Sequence, residues 1–134
     1  MGRALHEVGE DAAGQGVEIR VEVHGAITQE LRHFARILQY ADHPNVYACW
    51  NSNQTDVING SIRETFALVA PKVREVHLRD LFDPDYPWRD LFALLAAQNY
   101  QGFTLAEIPE SADPERVLRY FKALWTSYQP GSGR

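Results

Sequence analysis

Residues 17–24, VEIRVEVH, decide how the chain is read. Val17, Ile19, Val21 and Val23 alternate with Glu18, Arg20, Glu22 and His24. Successive side chains of a β-strand point to opposite faces, so this stretch predicts a strand with one apolar and one ionisable face. A second run, VREVHL from Val73, repeats the pattern: Val76 and Leu78 oppose Glu75, His77 and Arg79. Two more β-like runs, VYACW from Val46 and FTLAEI from Phe103, complete a series whose starts lie 29, 27 and 30 residues apart.

Helical patterns separate these runs. Leu31, Phe34, Ala35 and Leu38 recur at helical spacing, as do Ile62, Phe66 and Val69, with Ser61 as the expected N-cap. Leu91, Leu94 and Leu95 lead towards Ala97 and an exit at Gly102. Asp113-Pro114 starts a last helix whose stripe is Val117, Leu118, Phe121 and Leu124. A leading helix is expected from about Arg3 to Ala13. Strands alternating with helices imply an α/β chain with parallel strands and right-handed crossovers.

An open doubly wound sheet and a sector of a closed barrel both satisfy this order. A central strand of an open sheet is covered on both faces and reads almost wholly apolar. The first and third runs do not, which suits a barrel interior opening into a site; an edge strand with one wet face is the alternative. No glycine-rich phosphate fingerprint follows any strand, which weighs against a dinucleotide-binding sheet. A complete barrel needs about 250 residues. The 134 residues here therefore predict four βα units, half of a TIM (β/α)8 barrel, preceded by one helix. The expected domain is 1–128, with a Gly/Pro/Ser-rich tail over 129–134.

Composition narrows the function classes. The net charge of -5 weighs against a nucleic-acid partner. Cys49 is the only cysteine, so an internal disulfide and a thiolate metal cluster are excluded. The opening MGRALHEVGEDAAGQG is acidic and lacks a long apolar run, so no signal peptide or membrane anchor is expected. His6 stands where a myristoylation signal has Ser or Thr, and the expected address is the cytoplasm.

Barrel enzymes carry their chemistry at the C-terminal ends of the strands. Those positions are Glu22 and His24, Asn51, His77 and Arg79, and Glu107. Glu22, Asn51, His77 and Glu107 share the inward parity of their strands. Two carboxylates, an imidazole and an amide oxygen make a hard, oxygen-rich set suited to Mn²⁺ or Mg²⁺. Blander readings stand beside this one. Glu22 could pair with Arg20 or His24, His77 could be a structural histidine, and Glu107 a solvated loop acid. His24 could orient Glu22 or touch substrate, and Arg79 with Asp80 could be a loop pair or contact substrate. Trp50, Trp88 and Trp125 read as packing residues, and Cys49 as a buried small one.

GVEIRVEVHG resembles the E-x-H/N-G strand of the sugar phosphate isomerase/epimerase family, the xylose isomerase-like barrels. HPNVYACWNSN takes the place of that family's H-P-N-V-G-x-x-x-D-T-x-H segment, and VREVHLRD is similar to its h-x-x-V-H-x-K/R-D strand. GFTLAEI and DPERVLRYFKAL resemble its last strand and helix. The likeness runs from about residue 14 to 128 and corresponds to the C-terminal half of the family's barrel. It implies Glu22, Asn51, His77 and Glu107 as metal ligands, with Asn51 replacing the family's Asp and Gln54 its following His. Asn51 lacks the family's negative charge, which weakens the expected site. The implied activity is sugar isomerisation or epimerisation through an ene-diolate, with Glu22 and Glu107 as base and acid. His24, Gln54 and Arg79 are expected beside a sugar or sugar phosphate. A metal-dependent lyase, dehydratase or endonuclease on the same scaffold, and a non-catalytic half-barrel, are the other classes. Four strands of eight leave two open edges, so a homodimer or a separate N-terminal half is the expected partner.

Overall fold

A computed structural model describes residues 1–131 of the chain; of the expected tail, 129–134, residues 132–134 lie outside the described residues. Four parallel strands, β1 (Ile19–Glu22), β2 (Val46–Asn51), β3 (Val73–Leu78) and β4 (Phe103–Ala106), form one sheet in sequence order. Helix α1 (Gly2–Gly14) precedes them; α2 (Leu31–Ala41), a short α3 (Arg63–Ala67) and α4 (Trp88–Ala97) are the crossovers, and α5 (Pro114–Tyr128) follows β4. Consecutive order is what a barrel sector requires, whereas a doubly wound sheet reverses direction at a switch point.

The alternation seen in the sequence divides the sheet. Val46, Ala48, Trp50, Val76 and Leu78 face the helices and form a buried core with Phe34, Leu38, Phe66, Leu91 and Phe92. Trp50 and Trp88 are buried, and Trp125 packs on the core while its Nε1 donates to Thr104 Oγ1 at 2.9 Å. The opposite face carries Arg20, Glu22, Cys49, Asn51, Glu75 and His77, and at β4 the exposed Phe103 and Leu105. A parallel sheet normally buries both faces, so this open polar face is the feature to be explained.

Several element ends differ from expectation. β1 starts at Ile19 rather than Val17, which is 54% exposed. The Val17 amide instead donates to Ala12 O and helps to end α1. β4 stops at Ala106, although the Glu107 amide still donates to Leu78 O at 2.8 Å. Helix α3 stops at Ala67, before Val69, and begins after Ile62; Ser61 Oγ nevertheless accepts the Arg63 amide at 3.2 Å. Asp113 caps α5 as expected, through Oδ1 and the Arg116 amide, but Leu118 on the expected stripe is exposed. Gly9 lets α1 approach β2, because a Cβ there would lie 2.7 Å from the His43 ring and 2.8 Å from Val46.

Two leucines on adjacent strands test this division. Leu78→Ala on the core face is expected to cost about 2–5 kcal/mol in urea unfolding, by transfer and cavity terms. Leu105→Ala, 42% exposed on the other face, is expected to change stability by only about 0.5 kcal/mol.

Candidate metal centre

The parallel register carries Glu22, Asn51 and His77 to neighbouring strand ends. Glu22 lies opposite Cys49, and Asn51 opposite His77. Glu107 follows β4 by one residue. One oxygen each from Glu22 and Glu107 and a ring nitrogen of His77 all lie within 4.8 Å of one another. Nδ1 of His77 is 3.1 Å from Glu22 Oε1 and 3.8 Å from Glu107 Oε2. Metal–ligand bonds near 2.0–2.2 Å put neighbouring ligand atoms about 3–4 Å apart, so this trio has the spacing and the hard donor chemistry for a divalent cation.

Asn51 reaches the same place but turns its amide nitrogen inward. Nδ2 donates to Glu22 Oε1 at 3.0 Å and faces His24 Nδ1 at 3.3 Å. An amide nitrogen is a donor, so in this orientation Asn51 braces Glu22; ligating a cation would require its oxygen to face inward. His24 sits just past β1, where Thr28 Oγ1 donates to its carbonyl. Gly25 follows at φ +90°, a conformation that favours glycine.

Gln54 and Arg79 converge elsewhere. Gln54 Nε2 donates to Asp83 Oδ2 at 3.2 Å, and Arg79 Nη2 to the same oxygen at 3.3 Å. Arg79 thus pairs with Asp83 rather than Asp80, whose Oδ1 accepts the Phe82 amide at 3.0 Å. The DLFDPDY loop turns back after β3, which brings position 83 to Arg79 at helical spacing.

Asp56 was missed by the sequence reading. It is fully buried behind the β2 strand end. Its Oδ2 accepts the Asn53 amide at 2.8 Å and the Tyr86 hydroxyl at 3.1 Å, while Tyr86 accepts Trp50 Nε1 at 3.1 Å. Asn53 in turn donates to Val23 O and Asn51 O, and Ser52 Oγ to His77 O. The three strand ends are therefore tied together by one loop. The Asn53–Asp56 spacing is that of a reciprocal cap and was the available signal. Burial pushes the Asp56 carboxyl up to about 7, against the pull of the Asn53 and Tyr86 hydrogen bonds and of Arg79. Cys49 is buried, and desolvation first, then the charges of Glu75, Glu22 and Glu107, push its thiol up to about 12. With Glu75 and His77 it forms a second group of donor atoms that all lie within 4.8 Å of one another.

A profile of the xylose isomerase-like TIM barrel family matches residues 1–124. The chain belongs to that family. Among solved structures, a 3-keto-D-glucoside 4-epimerase from E. coli superposes with a TM-score of 0.76 at 19% identity, over 93% of this chain and 52% of that one. A D-psicose 3-epimerase from Clostridium cellulolyticum H10 gives 0.75 at 16% identity, over 95% and 53%. A xylose isomerase domain protein from Planctomyces limnophilus gives 0.72 at 19%, over 95% and 52%. Among curated proteins no sequence match is found. The sheet is thus part of a TIM barrel of this family, and the chain spans about half the length of these solved structures. No helix among the described residues is long and apolar enough to cross a membrane.

Asp56 gives a pH test. Its folded-state pKa of about 7 exceeds the ordinary 3.8, so between these values the unfolded chain has lost a proton that the folded chain keeps. Its contribution is full below the lower value and is lost as pH rises through the upper one. Asp56→Asn, which keeps an acceptor for the Asn53 amide, is expected to flatten the decline in urea midpoint across that window.

Proposed function

We propose that the polar face is one side of the active site of a divalent-metal sugar isomerase or epimerase. The convergence of Glu22, His77 and Glu107 carries this reading. These three would hold Mn²⁺ or Mg²⁺, with Asn51 beside them. A bound cation supplies positive charge next to the substrate's carbonyl and hydroxyl oxygens, which makes a neighbouring C–H acidic enough for a carboxylate to remove its proton. Glu22 at the end of β1 and Glu107 at the end of β4 reach the centre from opposite edges of the sheet. One would take the proton from carbon and the other return it, as base and acid. His24, beside the Asn51 amide, and Gln54 and Arg79, which converge on Asp83, would meet the hydroxyl or phosphate groups of a sugar. The sugars named for the E. coli and Clostridium epimerases support this substrate class.

Substrate enclosure needs more protein than this sheet supplies. β1 and β4 each have one strand neighbour, and Phe103 lies 71% exposed on the inner face. Domain 1–128 would therefore work together with the N-terminal half of the barrel or with a second copy, closing both strand edges. Light scattering at micromolar concentration checks this. Mass above 15.2 kDa is expected, and a monodisperse monomer with a cooperative melt would count against it.

The Asn51–Glu22 hydrogen bond favours a second reading, a half-barrel whose metal site has decayed. Calorimetric titration with Mn²⁺ separates the two. Asn51→Asp is expected to tighten Mn²⁺ binding about tenfold or more, by restoring one charge to the centre. Equal affinities would place residue 51 outside the metal's ligands. Activity is read as solvent deuterium entering a panel of ketoses in the presence of Mn²⁺. Exchange that is lost in Glu22→Gln supports the isomerase; metal binding without exchange on any partner-completed sample supports the decayed site.

A further inference from the structure

We propose that Cys49, Glu75 and His77 form a binding site for one thiophilic divalent cation of the zinc type, deeper in the sheet than the centre described above. The proposal goes beyond the isomerase reading and stands whether or not Mn²⁺ binds between Glu22 and Glu107. The Cys49 thiol, one Glu75 oxygen and a ring nitrogen of His77 all lie within 4.8 Å of one another. On this side of the ring, His77 Nε2 is 3.4 Å from Glu75 Oε1. Zinc bonds of about 2.0–2.3 Å at tetrahedral angles put neighbouring ligand atoms about 3.3–3.6 Å apart, so side-chain shifts of about 1 Å close the group on an ion. Sulfur, imidazole nitrogen and a single carboxylate are a borderline-soft set, which favours Zn²⁺ over Mn²⁺ or Mg²⁺. Three protein ligands leave the fourth tetrahedral position to water.

The sheet brings these groups together through an irregularity in its pairing. Ala48 lies opposite Val73, but the register then slips, so that Cys49 lies opposite Glu75 and Arg74 is passed over. An extra residue of this kind re-aims the side chains beside it. Arg74 packs over the Tyr47 ring, 4.8 Å from its centre, while Glu75 joins Cys49 and His77. Arg20 Nη1 takes only Oε2 of Glu75, at 2.7 Å, and Oε1 stays turned to the imidazole. Arg20 in turn gives Nε and Nη2 to Glu18 Oε2 at 3.1 and 2.9 Å, which answers its charge. With Arg20 and Glu18 cancelling, Glu75 and a Cys49 thiolate match the two charges of the ion. Burial first, and then the charges of Glu75, Glu22 and Glu107, hold the proton on Cys49. Those same charges draw a cation to the place, and coordination to a divalent ion removes a thiol proton outright.

The test uses the intact, reduced chain with Co²⁺ as the probe, because Zn²⁺ is colourless. Cys49 is the only cysteine, so a thiolate-to-cobalt charge-transfer band has no other source in the chain. One Co²⁺ per chain is expected to give that band, with an intensity per chain that dilution leaves unchanged, and Zn²⁺ is expected to bleach it. The band is expected to vanish in Cys49→Ala and to persist in Glu107→Gln, which disturbs only the other centre. Zn²⁺ affinity, read by competition with Co²⁺, is expected to fall in Cys49→Ala by more than the roughly 10–100-fold that loss of an outer-shell partner costs. Co²⁺ bound without the band, or no Co²⁺ bound at all, would overturn the proposal. So would a band that fades on dilution, which would show thiols of two chains meeting at one ion, or a band lost in Glu107→Gln, which would place the ion in the other centre. An unchanged band and affinity in Glu75→Gln would remove Glu75 from the site. Should Cys49→Ala fail to fold, Cys49→Ser keeps the size of the side chain and is expected to lose the band as well.

Discussion

Glu22, Glu75 and Glu107 surround a single imidazole, and that crowding governs the polar face of the sheet. Carboxylates this close repel one another unless positive charge lies among them. Arg20 answers Glu75 on one side of the ring, while Asn51 Nδ2 offers Glu22 only a neutral donor on the other. Between Glu22 and Glu107 stands His77, whose Nδ1 lies 3.1 and 3.8 Å from their oxygens. A divalent cation would relieve both carboxylates at once, and sugar chemistry next to a carbonyl needs that same charge. Structural demand and proposed function therefore meet at one point.

The rest of the fold serves that point. Core packing on the helix side fixes the four strands side by side, and parallel register then aligns their C-terminal ends. Asp56, Asn53 and Ser52 lock the ends of β1, β2 and β3 to one another through backbone groups. Rigid elements with a fixed second layer of hydrogen bonds are what a metal or catalytic centre needs to hold its geometry. Burying Asp56 costs stability near neutral pH, and the three-strand clamp is what that cost maintains.

The strand order and the polar face were legible because a two-residue period is a local property. Val76 and Leu78 against Glu75 and His77 can be read without knowing any contact. Strand length was less legible. Val17 and Ile108 continue the β-like composition, yet pairing stops at Ile19 and Ala106, since backbone partners rather than propensity end a strand at an edge. Side-chain partners were not legible, near or far along the chain. Nothing local says that Arg79 takes Asp83 over Asp80, or that Tyr86 finds Asp56 thirty residues away. Asn51 shows a finer limit. Its position followed from parity and resemblance, but which end of its amide faces Glu22 depends on the whole hydrogen-bond network.

Crystals soaked in Mn²⁺ and measured by anomalous diffraction at the manganese edge test the central claim most directly. The expected result is one strong peak bounded by Glu22, His77 Nδ1 and Glu107, at about 2.0–2.3 Å from each. A peak on the Glu75 side of the ring, or an occupied lattice with no manganese between these three residues, would contradict it.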